Sequence, residues 1–362
     1  MINERLKKLY AFMVQLNLDA VLITQPKHIY YLSGFSSEPH ERFLGLILPK
    51  GEEPFLLVPA LDIEAAKAES TVSQVYTHTD TENPYEVLKR CLQRTVSRLG
   101  IEKNHLTLQR YETLSETLEA EQFVDVEAPL TNMRAIKSAD EIARLKNAAR
   151  LVEQVLRDGL KHVKAGVTEM DIAAELEYAM KKAGVSPAFS TTVLSGEKSA
   201  LPHGATGNRP IKRGDMLLFD MGVAADGYLS DITRTFAVGD VDDKLIEIYE
   251  TVLEANLQGI SAVCPGAVLG EVDHAARQCI ASRGYGEYFT HRVGHGLGIE
   301  VHEYPSVHGD NRDLLREGMV ITIEPGIYLP GIGGVRIEDD VLVTSTGAEL
   351  LTTFPKHLTV IS

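Results

Sequence analysis

The sequence predicts a mixed α/β protein of two domains, and three observations carry that reading. The chain has 362 residues, more than the roughly 100–200 that one domain ordinarily holds. Short apolar runs alternate with helical patterns over residues 1–130, as in an α/β unit. Near Pro129 the alternation stops: long charged helices follow, then a strand-rich stretch from residue 190, which reads as an α+β domain over 131–362.

The first expected helix covers residues 1–19, where Leu6, Leu9, Tyr10, Met13 and Leu16 recur at helical spacing. Residues 20–24, 45–48 and 54–58 are short apolar strands, the last two joined by the turn Pro49-Lys50-Gly51. Helical patterns follow at 60–69 and 84–99. The domain boundary falls within 128–136. Beyond it Ser138 and Glu141 form a capping box that opens a helix running through residue 163. A second helix starts at Thr168 and stops at Gly184, a C-cap glycine. Helices near 242–262 and 270–283 interrupt the strands that follow, and no repeat stands out from the residues alone.

Composition narrows the function classes. Hydrophobic residues at 44 % and charged residues at 24 % are ordinary for a globular chain that builds its core without disulfides. Cys91, Cys264 and Cys279 are odd in number and widely spaced, which reads as free thiols in a reducing compartment. The N-terminus lacks the pattern of a signal peptide, and no apolar run is long enough to span a membrane. A cytoplasmic location follows by elimination. A net charge of −15 argues against nucleic acid as a partner, because phosphate binding relies on lysine and arginine.

The segment from Asp215 to Val238 reads as a β-hairpin with an aspartate in each arm, turning at Ala225-Asp226-Gly227. If the turn centres on Ala225-Asp226, Asp220 lies opposite Asp231. If it centres on Asp226-Gly227, Asp220 faces Thr233 and Asp231 is its diagonal neighbour. Both registers send the two side chains to one face. Two carboxylates that close repel unless a cation lies between them, and both are hard oxygen ligands for a divalent metal. The plainer alternative is an exposed Asp231, or one paired with Arg234.

Further on, His291, His295 and His302 fall within twelve positions among Gly294, Gly296 and Gly298. His302-Glu303 does not open an HExxH helix, because Ser306 stands at the fifth position and Pro305 precedes it. The glycines do not spell a dinucleotide fingerprint. Glu324 ends an apolar strand before Pro325-Gly326. Arg336, Glu338 and Asp340 alternate and so share a strand face, and periodicity does not choose between the last two acids. His203 lies in the loop Leu201-Pro202-His203-Gly204.

Taken in order, LPHG with His203, FDMG with Asp220, SDITRTF with Asp231, HRVGHGLG with His295, IEPG with Glu324 and VRIEDD with Glu338 resemble the motifs of the pita-bread metallopeptidases. That family includes Xaa-Pro dipeptidase, Xaa-Pro aminopeptidase and methionine aminopeptidase. MRAIKSADEI, beginning at Met133, resembles the start of the catalytic domain in its proline-specific branch, and residues 1–130 resemble the creatinase/prolidase N-terminal domain. The resemblance implies a pita-bread fold with an antiparallel sheet, and two divalent ions, with manganese favoured and cobalt or zinc as alternatives. Asp220 would chelate one ion, Asp231 and Glu338 would bridge both, and His295 and Glu324 would complete the other sphere. His203 and His302 would stabilise the substrate and tetrahedral intermediate, Glu324 would accept the proton of a metal-bridged water, and Arg336 would serve the substrate carboxylate. The implied reaction is hydrolysis of the bond before proline in Xaa-Pro dipeptides by a homodimer. An Xaa-Pro aminopeptidase for longer peptides, a creatinase-like amidinohydrolase and a non-catalytic binding module of the same fold are the competing readings.

Overall fold

The structure, a computed structural model, describes residues 2–362, and of Ile2 and Asn3 the backbone only; Met1, included in the expected first helix, lies outside the described residues. The chain divides into two compact units, one ending at Met133 and the other covering Arg134–Ser362.

The first unit is a six-stranded mixed sheet with strand order Gln74–His78, Phe55–Pro59, Gly45–Pro49, Ala20–Ile23, Arg98–Ile101 and Gln122–Asp125. The three expected strands form here to within a residue or two. The helix expected over 84–99 does not. It runs only over Pro84–Leu92 and stops at Gln93, which adopts φ 48. Residues 98–101 are instead a strand, Leu99 pairing with both Ala20 and Phe123. Leu88, Leu92, Val96 and Leu99 keep a helical spacing, but pairing with strands distant in sequence decides the conformation. Helices Pro26–Ser33, Leu108–Leu118 and Glu127–Ala135 are additions to the sequence reading. Pro129 sits in the first turn of the last of these, where a missing N–H costs no helical bond.

In the second unit two helix pairs repeat one another. Ala139–Leu160 packs on Glu169–Lys182, and Asp243–Ser261 packs on Leu269–Ser282. Gly166 and Gly266 turn the chain between the helices of each pair at φ +95 and +84, and each N–H donates to a carbonyl at 2.8 Å, of Ile211 and Leu315 respectively. Gly184 and Gly284 follow the second helices at φ +76 and +85. The likeness lies in backbone turns rather than side chains, which is why it escapes a reading of residues. The Ser138/Glu141 capping box forms as expected, and Thr168 forms a second one with Asp171.

Each helix pair covers the outer face of a sheet. One sheet has the order Val360–Ile361, Ile232–Val238, Met216–Met221, Thr192–Ser195. The other runs Glu303–Val307, Gly294–Gly296, Val320–Ile323, Asp339–Thr344, Gly347–Leu350. Alternation along the strands then sorts the residues. Leu217, Phe219, Ile232 and Phe236 pack in the core shared with the first helix pair, and Ile321, Ile323, Val341 and Val343 in the core shared with the second. Asp220, Thr233, Thr322 and Asp340 therefore point to the opposite, inner faces. No helix among the described residues is long and apolar enough to cross a membrane.

The repeat yields a test of helix capping. Thr168 accepts from the Asp171 N–H, whereas Val268, in the matching place before Leu269–Ser282, makes no side-chain cap. Thr168→Ala should lower stability by about 1 kcal/mol, and Val268→Thr, with Glu271 three residues on, should raise it by a comparable or smaller amount. Urea unfolding of the two variants checks both signs.

Candidate active site

The hairpin resolves the register left open by the sequence. Thr233 pairs with Asp220, and Asp226 and Gly227 take φ 51 and 78 at the tip. Two successive positive φ values are the type I′ turn that matches the twist of the strands. Asp231 is thus diagonal to Asp220, on the same face.

Thr233 ties this hairpin to the acids near residue 338. Its carbonyl accepts the Glu338 N–H at 3.1 Å, and its hydroxyl donates to Glu338 Oε2 at 2.7 Å. The Asp231 N–H donates to Asp340 Oδ2 at 3.1 Å. The choice between the two acids is thereby made by contacts: Glu338 joins Asp231 and His295 in a group whose donor atoms lie within 4.8 Å of one another, while Asp340 supports the backbone behind it. The strand expected across 336–340 is broken, since Gly333–Arg336 pairs with Gly326–Leu329 and Asp339–Thr344 with Val320–Ile323.

A cleft of ≈ 660 Å³ gathers all eight sequence-predicted residues: His203, Asp220, Asp231, His295, His302, Glu324, Arg336 and Glu338. His295 is 2 % exposed, and its Nδ1 lies 3.1 Å from the Gly296 carbonyl, which can only accept. Nδ1 therefore carries the proton. Burial, helped by His302, pushes the ring down to about 3, so it is neutral and Nε2 presents a lone pair. That lone pair faces Glu324 Oε1 at 3.3 Å and Asp231 Oδ2 at 3.8 Å. Asp231 Oδ1 is buried with no hydrogen-bond partner. Burial and then neighbouring carboxylates hold Asp231 and Glu338 well above the usual carboxyl range, and burial leads in raising Glu324 to about 7. Once ionised these groups are acceptors facing acceptors, and with Asp231 Oδ1 buried and unpartnered they fit a cation between them. Four carboxylates and one imidazole are a donor set for a divalent ion.

Arg336 is bonded to the groups around the cluster. Its Nε donates to Thr233 Oγ1 at 3.1 Å, Nη1 to the Tyr328 hydroxyl at 2.9 Å and Nη2 to Asp220 Oδ2 at 2.5 Å. Three of its five N–H groups are thus engaged inside the protein, and one of them holds Asp220. Tyr328, which the sequence reading missed, donates in turn to His291: the His291 Nδ1 lies 2.8 Å from the Arg292 carbonyl, leaving Nε2 to accept the tyrosine hydroxyl at 2.8 Å. Arg292 also lines the cleft, and its Nη1 donates to Ser306 Oγ at 2.9 Å. His291 and Arg292 stand in the histidine cluster seen in the sequence, but only the fold shows them facing the acids.

Comparison with known proteins follows from this geometry. Residues 143–345 match metallopeptidase family M24, and residues 5–136 match the creatinase/prolidase N-terminal domain. The Bacillus subtilis (strain 168) protein YkvY, whose name assigns it provisionally as a dipeptidase, is 44 % identical over 362 residues, 99 % of this chain and 100 % of that protein. The solved prolidase from Pyrococcus horikoshii OT3 is 40 % identical with a TM-score of 0.92, over 98 % of this chain and 99 % of that one. The Xaa-Pro dipeptidase from Bacillus anthracis is 35 % identical with a TM-score of 0.94, over 100 % of both chains.

The raised carboxyls set the pH response of the metal-free protein. Unfolded, these groups ionise near pH 4; folded, Glu324 keeps its proton to about 7, and Asp231 and Glu338 shift the same way. The folded state thus binds more protons across that window, so stability falls as pH rises through it, by roughly 1.4 kcal/mol per unit for each proton retained. The melting temperature of metal-free protein should drop between pH 5 and 7, and a saturating divalent ion should reverse the slope. A melting temperature that rises over this span without metal would count against the buried acid cluster.

Proposed function

This chain belongs to metallopeptidase family M24, and from that premise we propose that it hydrolyses the bond preceding proline in Xaa-Pro dipeptides, using two divalent ions held by the acid cluster. The observation that carries the reading is the His295 lone pair aimed at the Asp231 and Glu324 carboxylates inside one cleft. The likeness to solved proteins named prolidase and Xaa-Pro dipeptidase supports the substrate class.

Asp220, Asp231, His295, Glu324 and Glu338 are the proposed metal ligands, with Asp231 and Glu338 shared between the ions. One imidazole among oxygen donors favours manganese, with cobalt and zinc as alternatives. Divalent ions bound there would polarise the scissile carbonyl and lower the pKa of water. Arg336 orients Asp220 through its bond to Oδ2. Glu324 accepts the proton of the attacking water and returns it to the proline nitrogen, which as an imide has no N–H before cleavage. His203 and His302, both exposed at the cleft, hold the carbonyl oxygen as charge develops on it.

The substrate carboxylate falls to Arg292 in this proposal. Among the described residues no carboxylate pairs with Arg292, whose side-chain bond goes to the neutral Ser306 hydroxyl. A terminal carboxylate held there would limit the substrate to two residues, which separates a dipeptidase from an aminopeptidase acting on longer chains.

Three measurements test these assignments. With manganese present, an Xaa-Pro dipeptide should turn over faster than an Xaa-Pro-Yaa tripeptide; preference for the tripeptide would make the protein an aminopeptidase, and turnover of neither would favour a binding module. Asp231→Asn should abolish turnover while circular dichroism stays unchanged; near-normal activity would remove Asp231 from the bridge. Arg292→Met should raise KM for the dipeptide roughly 10- to 100-fold, the worth of a charge-assisted hydrogen bond, and change kcat little.

A further inference from the structure

The segment that delivers His302 to the cleft has little backbone structure of its own. Gly294–Gly296 and Glu303–Val307 pair across it, but the register slips between His295 and Gly296, and Gly296 faces Glu303 directly. Within residues 297–302, Leu297 donates to Val320 at 3.1 Å, Gly298 donates to Glu300 at 3.1 Å and the Gly298 carbonyl accepts from Leu229 at 2.9 Å, while among the described residues 299–302 make no backbone–backbone bond outside the segment. The His302 ring nevertheless lies edge-on to His295, with centroids 4.2 Å apart and planes at 74°. Something beyond the ladder must fix it.

The next residue is the anchored one. Glu303 has a side chain only 5 % exposed, and it takes two buried cations from a single short stretch: Arg134 Nη2 at 2.5 Å from Oε2, and Lys137 Nζ at 2.8 Å from Oε1. Arg134 also reaches Glu300 Oε2 at 2.6 Å, so both ends of 300–303 are tied to one guanidinium. The carboxylate lies against Gly298, where a Cβ would overlap it, so the outgoing limb of the segment is packed on the same group. The Lys137 N–H donates to the Gly318 carbonyl at 2.8 Å, which ties this stretch to the turn leading into Val320–Ile323.

We propose that Glu303, clamped by Arg134 and Lys137, is the positioning residue for His302, fixing that imidazole against the metal-binding cluster while touching neither substrate nor metal. Buried ion groups add little net stability compared with apolar packing of the same volume, whereas they impose direction at fixed distances. Direction is what a histidine on an irregular segment lacks. The inference rests on the peptidase reading, in which His302 acts on the carbonyl oxygen.

The test is a double-mutant cycle in the full-length, manganese-loaded protein, reading kcat and KM on an Xaa-Pro dipeptide and manganese affinity by calorimetry. Glu303→Gln should lower kcat about 10- to 100-fold, the scale of a misplacement near 1 Å, with KM and manganese affinity held within about twofold. In a His302→Ala background the same substitution should change kcat by less than about twofold, because the group it positions is gone. An equal factor in both backgrounds, or loss of manganese affinity in step with kcat, would overturn the proposal. If Glu303→Gln does not fold, Lys137→Gln takes its place in the cycle, and Lys137→Arg should restore kcat. No turnover by the unsubstituted protein overturns the peptidase reading and this inference with it; turnover with equal factors in both backgrounds overturns this inference alone.

Discussion

Mutual repulsion within a buried acid cluster is the constraint around which the second unit is organised. Asp231 and Glu338 are almost wholly buried, and Glu324 and the neutral His295 face them across a few ångströms. A fold cannot hold ionised carboxylates this close for nothing; it keeps protons on them or places a cation among them. The surrounding polar groups answer to that demand. Arg336 neutralises Asp220 from one side, Thr233 caps Glu338, and the Asp231 backbone is pinned by Asp340.

Behind this layer a second set of charges fixes the strands. Asp339 is fully buried between Arg234 and Lys356, at 2.7 and 2.8 Å, and Arg234 also donates to the carbonyls of Thr233, Glu338 and Phe354. The run Glu338-Asp339-Asp340 therefore sends three acids to three destinations: the cluster, the buried cations and the neighbouring backbone. Asp339 is neutralised by two cations, Glu338 accepts from the Thr233 hydroxyl and Asp340 from the Asp231 N–H, while Asp340 Oδ1 is left buried without a hydrogen-bond partner. The Glu303 clamp extends the same logic to His302, and Tyr328 extends it to His291 by a chain of oriented hydrogen bonds.

The helix pairs explain why the cluster can exist at all. Each covers the outer face of one sheet with apolar side chains, so the period-two alternation leaves the inner faces to carry the polar residues. The acids come from separate stretches of chain, yet each is preceded or followed by a residue committed to a helix-covered core: Phe219 and Met221 beside Asp220, Ile232 beside Asp231, Ile323 beside Glu324 and Ile337 beside Glu338. Sites assembled this way need no irregular core packing, and the stability of the helix layers offsets the cost of the buried charge.

Much of this was legible in the residues. The six motifs identified the family, and alternation alone put Asp220 and Asp231 on one face whichever turn formed. The capping box at Ser138 marked the start of the catalytic unit's first helix correctly. Where the sequence failed, a contact distant along the chain had overruled a local pattern: Leu99 keeps helical spacing but pairs in a sheet. The types of the clustered acids and imidazole, their order and their alternation are local properties, and these the sequence by itself determined. The choice of Glu338 over Asp340 and the partner of Arg336 depend on which groups meet across a hundred residues of chain, and those only the tertiary structure decided.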